Sequence, residues 1–224
     1  VTAPGGLVVF DLDGTLVDGY AAILDALSFA MGRLGLLPPT LGEVRRMVGE
    51  GLDRLLERAV GPARSAEGVR LFRERYPEVA VEMTDLMPDV EEVLDALEAS
   101  SWRMIVTSNK PALFSKMILD AMGISRYFQS VEGPDATAPP KPDPAMLHRA
   151  LHRLGMGPSE AVVVGDMEID AKFARAAGCR VALVPGGSAT PEELARAGAD
   201  VVLENLRALP GWLQSVRPPT TIRP

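Results

Sequence analysis

Leu7-Val8-Val9-Phe10-Asp11-Leu12-Asp13-Gly14-Thr15 runs from four apolar residues directly into two carboxylates and a glycine turn. Four apolar positions without polar alternation predict a strand buried on both faces, as in a parallel sheet covered by helices. In such sheets ligands bind outside the carboxyl ends of the strands. Asp11 and Asp13 therefore fall where this fold places chemistry, and the rest of the chain can be read for what else reaches that rim.

Downstream of this segment the texture is helical. Apolar residues from Ala21 and Leu24 to Leu27, Met31 and Leu34 recur at helical spacing. Pro38-Pro39 interrupts, and Thr40 is suited to cap a second helix. Gly49-Glu50-Gly51 breaks that helix, Leu52 to Val60 forms another, and residues 66–82 form a fourth, which Pro77 is expected to kink or end. No strand is expected between residues 16 and 84. After Pro88 strands alternate with helices. Strands are expected at Arg103 to Thr107, around Val131, and at Ala161 to Val164, Arg180 to Val184 and Asp200 to Val202. Helices are expected at Asp89 to Ala99, Pro111 to Met122, Pro142 to Leu154 and Glu168 to Ala177.

The predicted fold class is α/β, a Rossmann-like parallel sheet core with an inserted all-helical cap subdomain. Residues 1–15 and 85–216 would form the core, residues 16–84 the cap, and residues 217–224, rich in proline, a frayed tail. Short hinges near Leu16–Tyr20 and Thr84–Pro88 would let the cap close over the site and exclude water.

The other strand ends carry polar groups. Arg103 to Thr107 runs into Ser108-Asn109-Lys110. Ala161 to Val164 runs into Gly165-Asp166, with Asp170 one helical turn on, and Lys141 stands in a loop before a helix. Clustered carboxylates repel one another and call for a hard cation with oxygen ligands, such as Mg²⁺. With Mg²⁺ and Lys141 present, the rim can hold a dianionic phosphate. One carboxylate can attack phosphorus, and a second, two residues away, can protonate the leaving oxygen and then activate water. Each group has a plainer reading when taken alone: Asp-X-Asp-Gly as a turn, Ser-Asn as a helix cap, Lys as surface. The joint arrangement favours the site.

Composition limits the partners. A chain of 224 residues with 47% hydrophobic and 24% charged residues is long and apolar enough to bury a substantial core. The net charge of -7 disfavours nucleic acid and anionic membrane. A small phosphorylated metabolite is the expected partner, provided the site supplies its own positive charge from a metal or a placed Lys. The single cysteine, Cys179, forms no internal disulfide, which suits a reducing compartment. Val1 to Gly6 shows no basic leader, and no apolar run approaches the roughly 20 residues of a membrane span. A cytoplasmic protein, monomer or homodimer, is expected.

These motifs resemble the haloacid dehalogenase superfamily. Asp11-Leu12-Asp13-Gly14-Thr15-Leu16-Val17-Asp18 is close to its first motif. Ser108-Asn109-Lys110-Pro111 is similar to the second, Lys141-Pro142-Asp143-Pro144 to the third, and Val164-Gly165-Asp166 with Asp170 to the fourth. The segment Gly187 to Leu203 and the helical insertion resemble the phosphoglycolate phosphatase-like members. The resemblance implies that Asp11 is the nucleophile and a Mg²⁺ ligand. It implies that Asp13 is the acid/base, with its backbone carbonyl on the metal. Ser108, favoured over Thr107, and the Asn109 backbone would hold the phosphate, with Thr15 nearby. Lys141 would neutralise charge, Asp166 would ligate the metal, and Asp170 would act beside it or through water. Gly49, Gly51 and Arg45 are the cap residues expected near substrate; a helix break and a solvated helix face are their plainer alternatives. Gly19 stands where a Ser or Thr is common. The expected activity is hydrolysis of a small monoester, with 2-phosphoglycolate, a sugar phosphate, a nucleotide and pyrophosphate all open as substrates. A β-phosphoglucomutase-like phosphotransferase and a non-catalytic phosphate sensor are the alternatives.

Overall fold

The computed structural model describes residues 5–134 and 139–216. The tail expected at residues 217–224 lies outside them, as does part of the Ala- and Pro-rich stretch ahead of Lys141. The chain begins with β1 (Leu7–Phe10), buried along its length, then β2 (Val17–Asp18). Four helices follow: α1 (Tyr20–Arg33), α2 (Leu41–Met47), α3 (Leu52–Val60) and α4 (Ser65–Val79). The chain continues through β3 (Asp85–Leu86), α5 (Val90–Ala99), β4 (Arg103–Thr107), α6 (Ala112–Ala121), β5 (Val131–Glu132) and α7 (Ala145–Leu154). It ends with β6 (Ala161–Gly165), α8 (Glu168–Ala176), β7 (Arg180–Leu183), α9 (Pro191–Arg196), β8 (Val201–Val202) and α10 (Leu209–Ser215).

Six strands form one parallel sheet in the order β5-β4-β1-β6-β7-β8. The chain leaves β1 toward β4 on one side and β6 on the other, so β1 is the switch point of the topology. The register keeps the strand ends level. Phe10 pairs with Val106 on one side and Val164 on the other. The residues that follow, Asp11, Ser108 and Asp166, are thereby delivered to one rim.

Alternation along the strands builds an apolar layer on each face. Leu7, Val9, Ile105 and Val163 pack with Leu147, Leu151 and Phe173. Val8, Phe10 and Val106 belong to the other cluster, which continues through Leu12 and Leu16 into Leu27, Leu56 and Phe72 of the helical block. The block is thus attached through shared apolar burial as well as through two chain crossings. Those crossings pair as a short antiparallel ribbon, Val17 with Leu86 and Asp18 with Asp85.

Two local expectations need correction. The stretch read as free of strands contains β2, whose two residues are too few to show a period. Pro77 does not end α4, which continues to Val79. Near the helix end the missing N–H removes one bond in the closing turn, and the chain turns away soon after. Thr40 caps α2 as expected, in a reciprocal capping box with Glu43. The helices α9 and α10 were not assigned from the sequence; both are short, with seven residues in α10.

The turn after β1 depends on Gly14, whose φ of 85° is costly for a residue with a side chain. At the end of β6, a Cβ on Gly165 would lie 2.2 Å from Asp170 Cγ. The strand and the first turn of α8 therefore approach closely only because no side chain stands there. Gly165→Ala is expected to lower unfolding stability by about 1–3 kcal/mol, read as a lower urea midpoint. An unchanged midpoint would contradict this close approach.

Candidate active site

The cleft between sheet rim and helical block encloses about 700 Å³, open mouth included. Asp11, Asp13, Ser108, Asn109, Lys141 and Asp170 line its floor, and Gly49 and Gly51 line it from the helical side. Asp166 lies just beneath, 1% exposed. Residues spread over most of the chain thus meet in one place.

Lys141 organises the floor. Its Nζ donates to Asp11 Oδ1 and to Asp170 Oδ1, each at 2.8 Å, and its side chain is 1% exposed. Burial alone would pull the ammonium pKa down; Asp11 and Asp170 push it up further, so the group stays charged. Asp170 uses its second oxygen to accept from the Met167 N–H at 3.2 Å, so both its oxygens are engaged within the protein.

Asp11, Asp166 and Asp170 each bring a carboxylate oxygen within 4.8 Å of the others. Burial first, then the neighbouring carboxylates, raise Asp166 well above the usual range. Burial likewise pushes Asp170 up to about 6, against the opposing pull of Lys141. Asp166 Oδ2 accepts from the Ser188 N–H at 2.7 Å, whereas Asp166 Oδ1 is buried without a partner. An orphaned carboxylate oxygen beside two further carboxylates suits a divalent cation with hard oxygen ligands. The donor set therefore fits a metal. Asp11, Asp166 and Asp170 are the residues that could hold it.

The Asp13 side chain stands outside this cluster. Its Oδ1 accepts from Lys110 Nζ at 2.6 Å, and both side chains are under a tenth exposed. Burial raises the Asp13 pKa, and Lys110 partly offsets the rise. Lys110 had no role in the sequence reading, although it stands inside the second motif. Its partner is 97 residues away, and no spacing rule signals such a pair. Its Nζ also lies 5.2 Å from the centre of the Tyr76 ring, on the helical side of the cleft.

Ser108 is buried in the cleft, and its Oγ accepts from the Lys110 N–H at 3.2 Å. Thr107, the alternative, is fully buried and absent from the cleft lining. The Asn109 side chain acts as a clamp. Its Oδ1 accepts from the Lys141 N–H at 2.6 Å, and its Nδ2 donates to Lys141 O at 3.1 Å and to Gly49 O at 2.8 Å. This clamp sets the loop that carries Lys141 and ties the helical block to the floor. A Cβ on Gly49 would strike Met167 Sδ at 2.8 Å, so glycine permits this closeness.

Two residues expected near substrate lie outside the cleft lining. Arg45 does not line the cleft. Its guanidinium donates to Asp18 Oδ2 at 3.0 Å and to Gly187 O at 3.2 Å, and it stacks 4.0 Å from the centre of the Tyr20 ring. With a carboxylate, a carbonyl and an aromatic face already engaged, it latches the helical block to the core. Tyr20 extends the latch, its hydroxyl lying 2.8 Å from Ser188 Oγ, beside the N–H that holds Asp166. Thr15 is likewise buried away from the cleft lining, because the turn closed by Gly14 N–H on Val17 O directs it inward.

No helix among the described residues is long and apolar enough to cross a membrane. The sequence model of the haloacid dehalogenase-like hydrolases matches residues 8–184. The "phosphoglycolate phosphatase, plasmid" of Cupriavidus necator is 34% identical over 223 residues, covering 97% of this chain and 96% of that one. The phosphoglycolate phosphatase of Aquifex aeolicus is 35% identical over 181 residues, 81% of this chain and 85% of its own. Among solved structures, a predicted phosphoglycolate phosphatase from Haemophilus somnus superposes with a TM-score of 0.86 at 28% identity, over 92% of this chain and 96% of that one. With a family match spanning most of the sequence and relatives of this identity along nearly its whole length, the chain belongs to the haloacid dehalogenase-like hydrolases.

Proposed function

We propose that this phosphatase moves the phosphoryl group of a small monoester onto Asp11, with Mg²⁺ in the carboxylate cluster, and that 2-phosphoglycolate is a substrate. The observation that carries this reading is the arrangement around Asp11. A buried ammonium holds one of its oxygens, and an orphaned oxygen of Asp166 lies at the same point of the rim. The choice of 2-phosphoglycolate is supported by the names of relatives that share a third of the sequence over most of both chains.

In the first step an Asp11 oxygen attacks phosphorus while the bond to the leaving oxygen breaks. Lys141 fixes the direction of attack by holding the Asp11 carboxylate. Asp13 gives its proton to the leaving oxygen and then, as carboxylate, takes one from water as that water attacks the phosphorus. This releases phosphate and returns Asp11 to its first state. Ser108 and the backbone of Asn109 hold the equatorial oxygens in this reading. Mg²⁺, when bound, neutralises the charge that gathers on the transferring group. The latch through Arg45 and the clamp through Asn109 keep the helical block over the floor and limit the entry of stray water.

Phosphate release from 2-phosphoglycolate is expected to require Mg²⁺ and to stop reversibly with EDTA. Asp11→Asn should reduce it by more than about 10³-fold. Asp13→Asn should reduce it by about 10²–10⁴-fold. Release by Asp11→Asn at the wild-type rate would exclude Asp11 as nucleophile.

The same site predicts a stability effect that needs no turnover. Asp166 and Asp170 have raised pKa values in the folded chain, so the metal-free fold holds protons that the unfolded chain gives up. Metal-free protein should therefore gain stability as the pH falls from neutral through about 6, the value to which Asp170 is raised. At neutral pH, Mg²⁺ about 100-fold above its Kd should add about 2.7 kcal/mol. Asp166→Asn should abolish that gain and raise the melting temperature measured in EDTA. A full Mg²⁺ effect in this variant would place the ion elsewhere.

A further inference from the structure

Lys110 and Tyr76 have no part in the chemistry of the rim, yet both line the cleft and both are buried. Tyr76 is 1% exposed and its hydroxyl is near enough to Lys110 to help keep that ammonium charged, yet it makes no hydrogen bond of ordinary geometry. A buried hydroxyl left unpaired costs stability unless something pairs with it, so its position in a ligand cleft points to a ligand group. Lys110 lies over the Tyr76 ring, and its carboxylate partner is Asp13.

That pairing conflicts with the role proposed for Asp13. To serve the leaving oxygen, the Asp13 carboxyl must turn toward the scissile bond, which leaves a buried ammonium without a counter-charge. Losing one partner of a buried ion pair is strongly unfavourable. The remainder of the upper cleft supplies no replacement: Ile23, Val48, Leu52, Leu55, Phe72 and Phe114 are apolar. A replacement carboxylate must therefore arrive with the substrate.

We propose that Lys110 and the Tyr76 hydroxyl are the receptor for a carboxylate on the leaving group of the substrate, and that this carboxylate takes Lys110 over from Asp13. The inference rests on the phosphatase reading above and assigns its specificity to two residues. One ammonium and one hydroxyl offer a donor to each oxygen of a planar monoanion. A neutral hydroxyl tail would leave the ammonium uncompensated, and a dianionic second phosphate would exceed the single positive charge. The tail is short, because Lys141 and Lys110 grip carboxylates only two residues apart on one turn. Gly19 makes the exchange possible. A Cβ there would lie 2.8 Å from Asp13 Oδ1, so the missing side chain leaves the space in which that carboxylate meets Lys110. In this arrangement Asp13 is released for proton transfer when a carboxylate-bearing substrate is seated, and a phosphate ester without one leaves it engaged.

The test compares 2-phosphoglycolate with 2-hydroxyethyl phosphate, which replaces the carboxylate by a neutral hydroxymethyl group, in the presence of Mg²⁺. Wild-type protein should prefer the acid in kcat/KM by about a hundredfold or more. Lys110→Met should bring the two substrates to near parity, and Tyr76→Phe, which keeps the ring, should reduce the preference in part. If Lys110 acted only by holding Asp13, Lys110→Met would slow both substrates by the same factor and the ratio would stand; that result overturns the proposal. Equal use of both substrates by wild-type protein also overturns it and leaves the phosphatase reading intact. If wild-type protein releases phosphate from neither compound nor from any other monoester, the phosphatase reading itself fails and takes the proposal with it.

Discussion

Asp11, Asp13, Asp166 and Asp170 are gathered at the end of the central strand, three of them almost entirely out of water. Unscreened carboxylates at such range repel strongly. Two buried lysines oppose them, Lys141 between Asp11 and Asp170 and Lys110 against Asp13. Two ammonium groups cannot neutralise four ionised carboxylates; burial holds Asp13, Asp166 and Asp170 above the usual carboxylate range, and Asp166 Oδ1 has no protein partner among the described residues. Much of the surrounding structure serves to hold groups that would otherwise move apart.

The parallel sheet supplies the stiffness this requires. Level registration of β1 with β4 and β6 fixes Asp11, Ser108 and Asp166 relative to one another through backbone hydrogen bonds. The helical block is joined by apolar burial and by a few polar ties, among them Asn109 to Gly49 and Arg45 to Gly187. Those ties begin at Asn109, next to Ser108 on the cleft floor, and at Gly187, next to the Ser188 N–H that holds Asp166. Side chains on the cleft floor and side chains that tie the helical block interleave in the sequence, as in Ser108-Asn109-Lys110.

How much was legible follows from the range of each signal. The strands Arg103 to Thr107 and Ala161 to Val164 were readable because buried parallel strands are uninterrupted apolar runs, and the groups at their ends followed from topology. The roles of Lys110, Tyr76 and Arg45 were not. Each depends on a contact between the helical block and the core, and such contacts leave no period in the sequence. Arg45 illustrates the difficulty. It was expected near substrate, whereas in the fold it meets Asp18, 27 residues away, and a carbonyl 142 residues away. Gly19 shows the reverse case. A departure from the usual residue was visible in the sequence, and its meaning, room for Asp13, required the fold.

The central claim is that Asp11 carries the phosphoryl group during turnover. The most direct measurement is acid quench of the Mg²⁺-loaded protein during steady-state hydrolysis, followed by borohydride reduction and mass spectrometry of the peptides. A phospho-aspartate at Asp11 would be reduced to homoserine at that position, and this is the result the account predicts. Homoserine at another aspartate, or none at any position while phosphate is being released and a parallel quench of an authentic acyl phosphate is reduced, would contradict it.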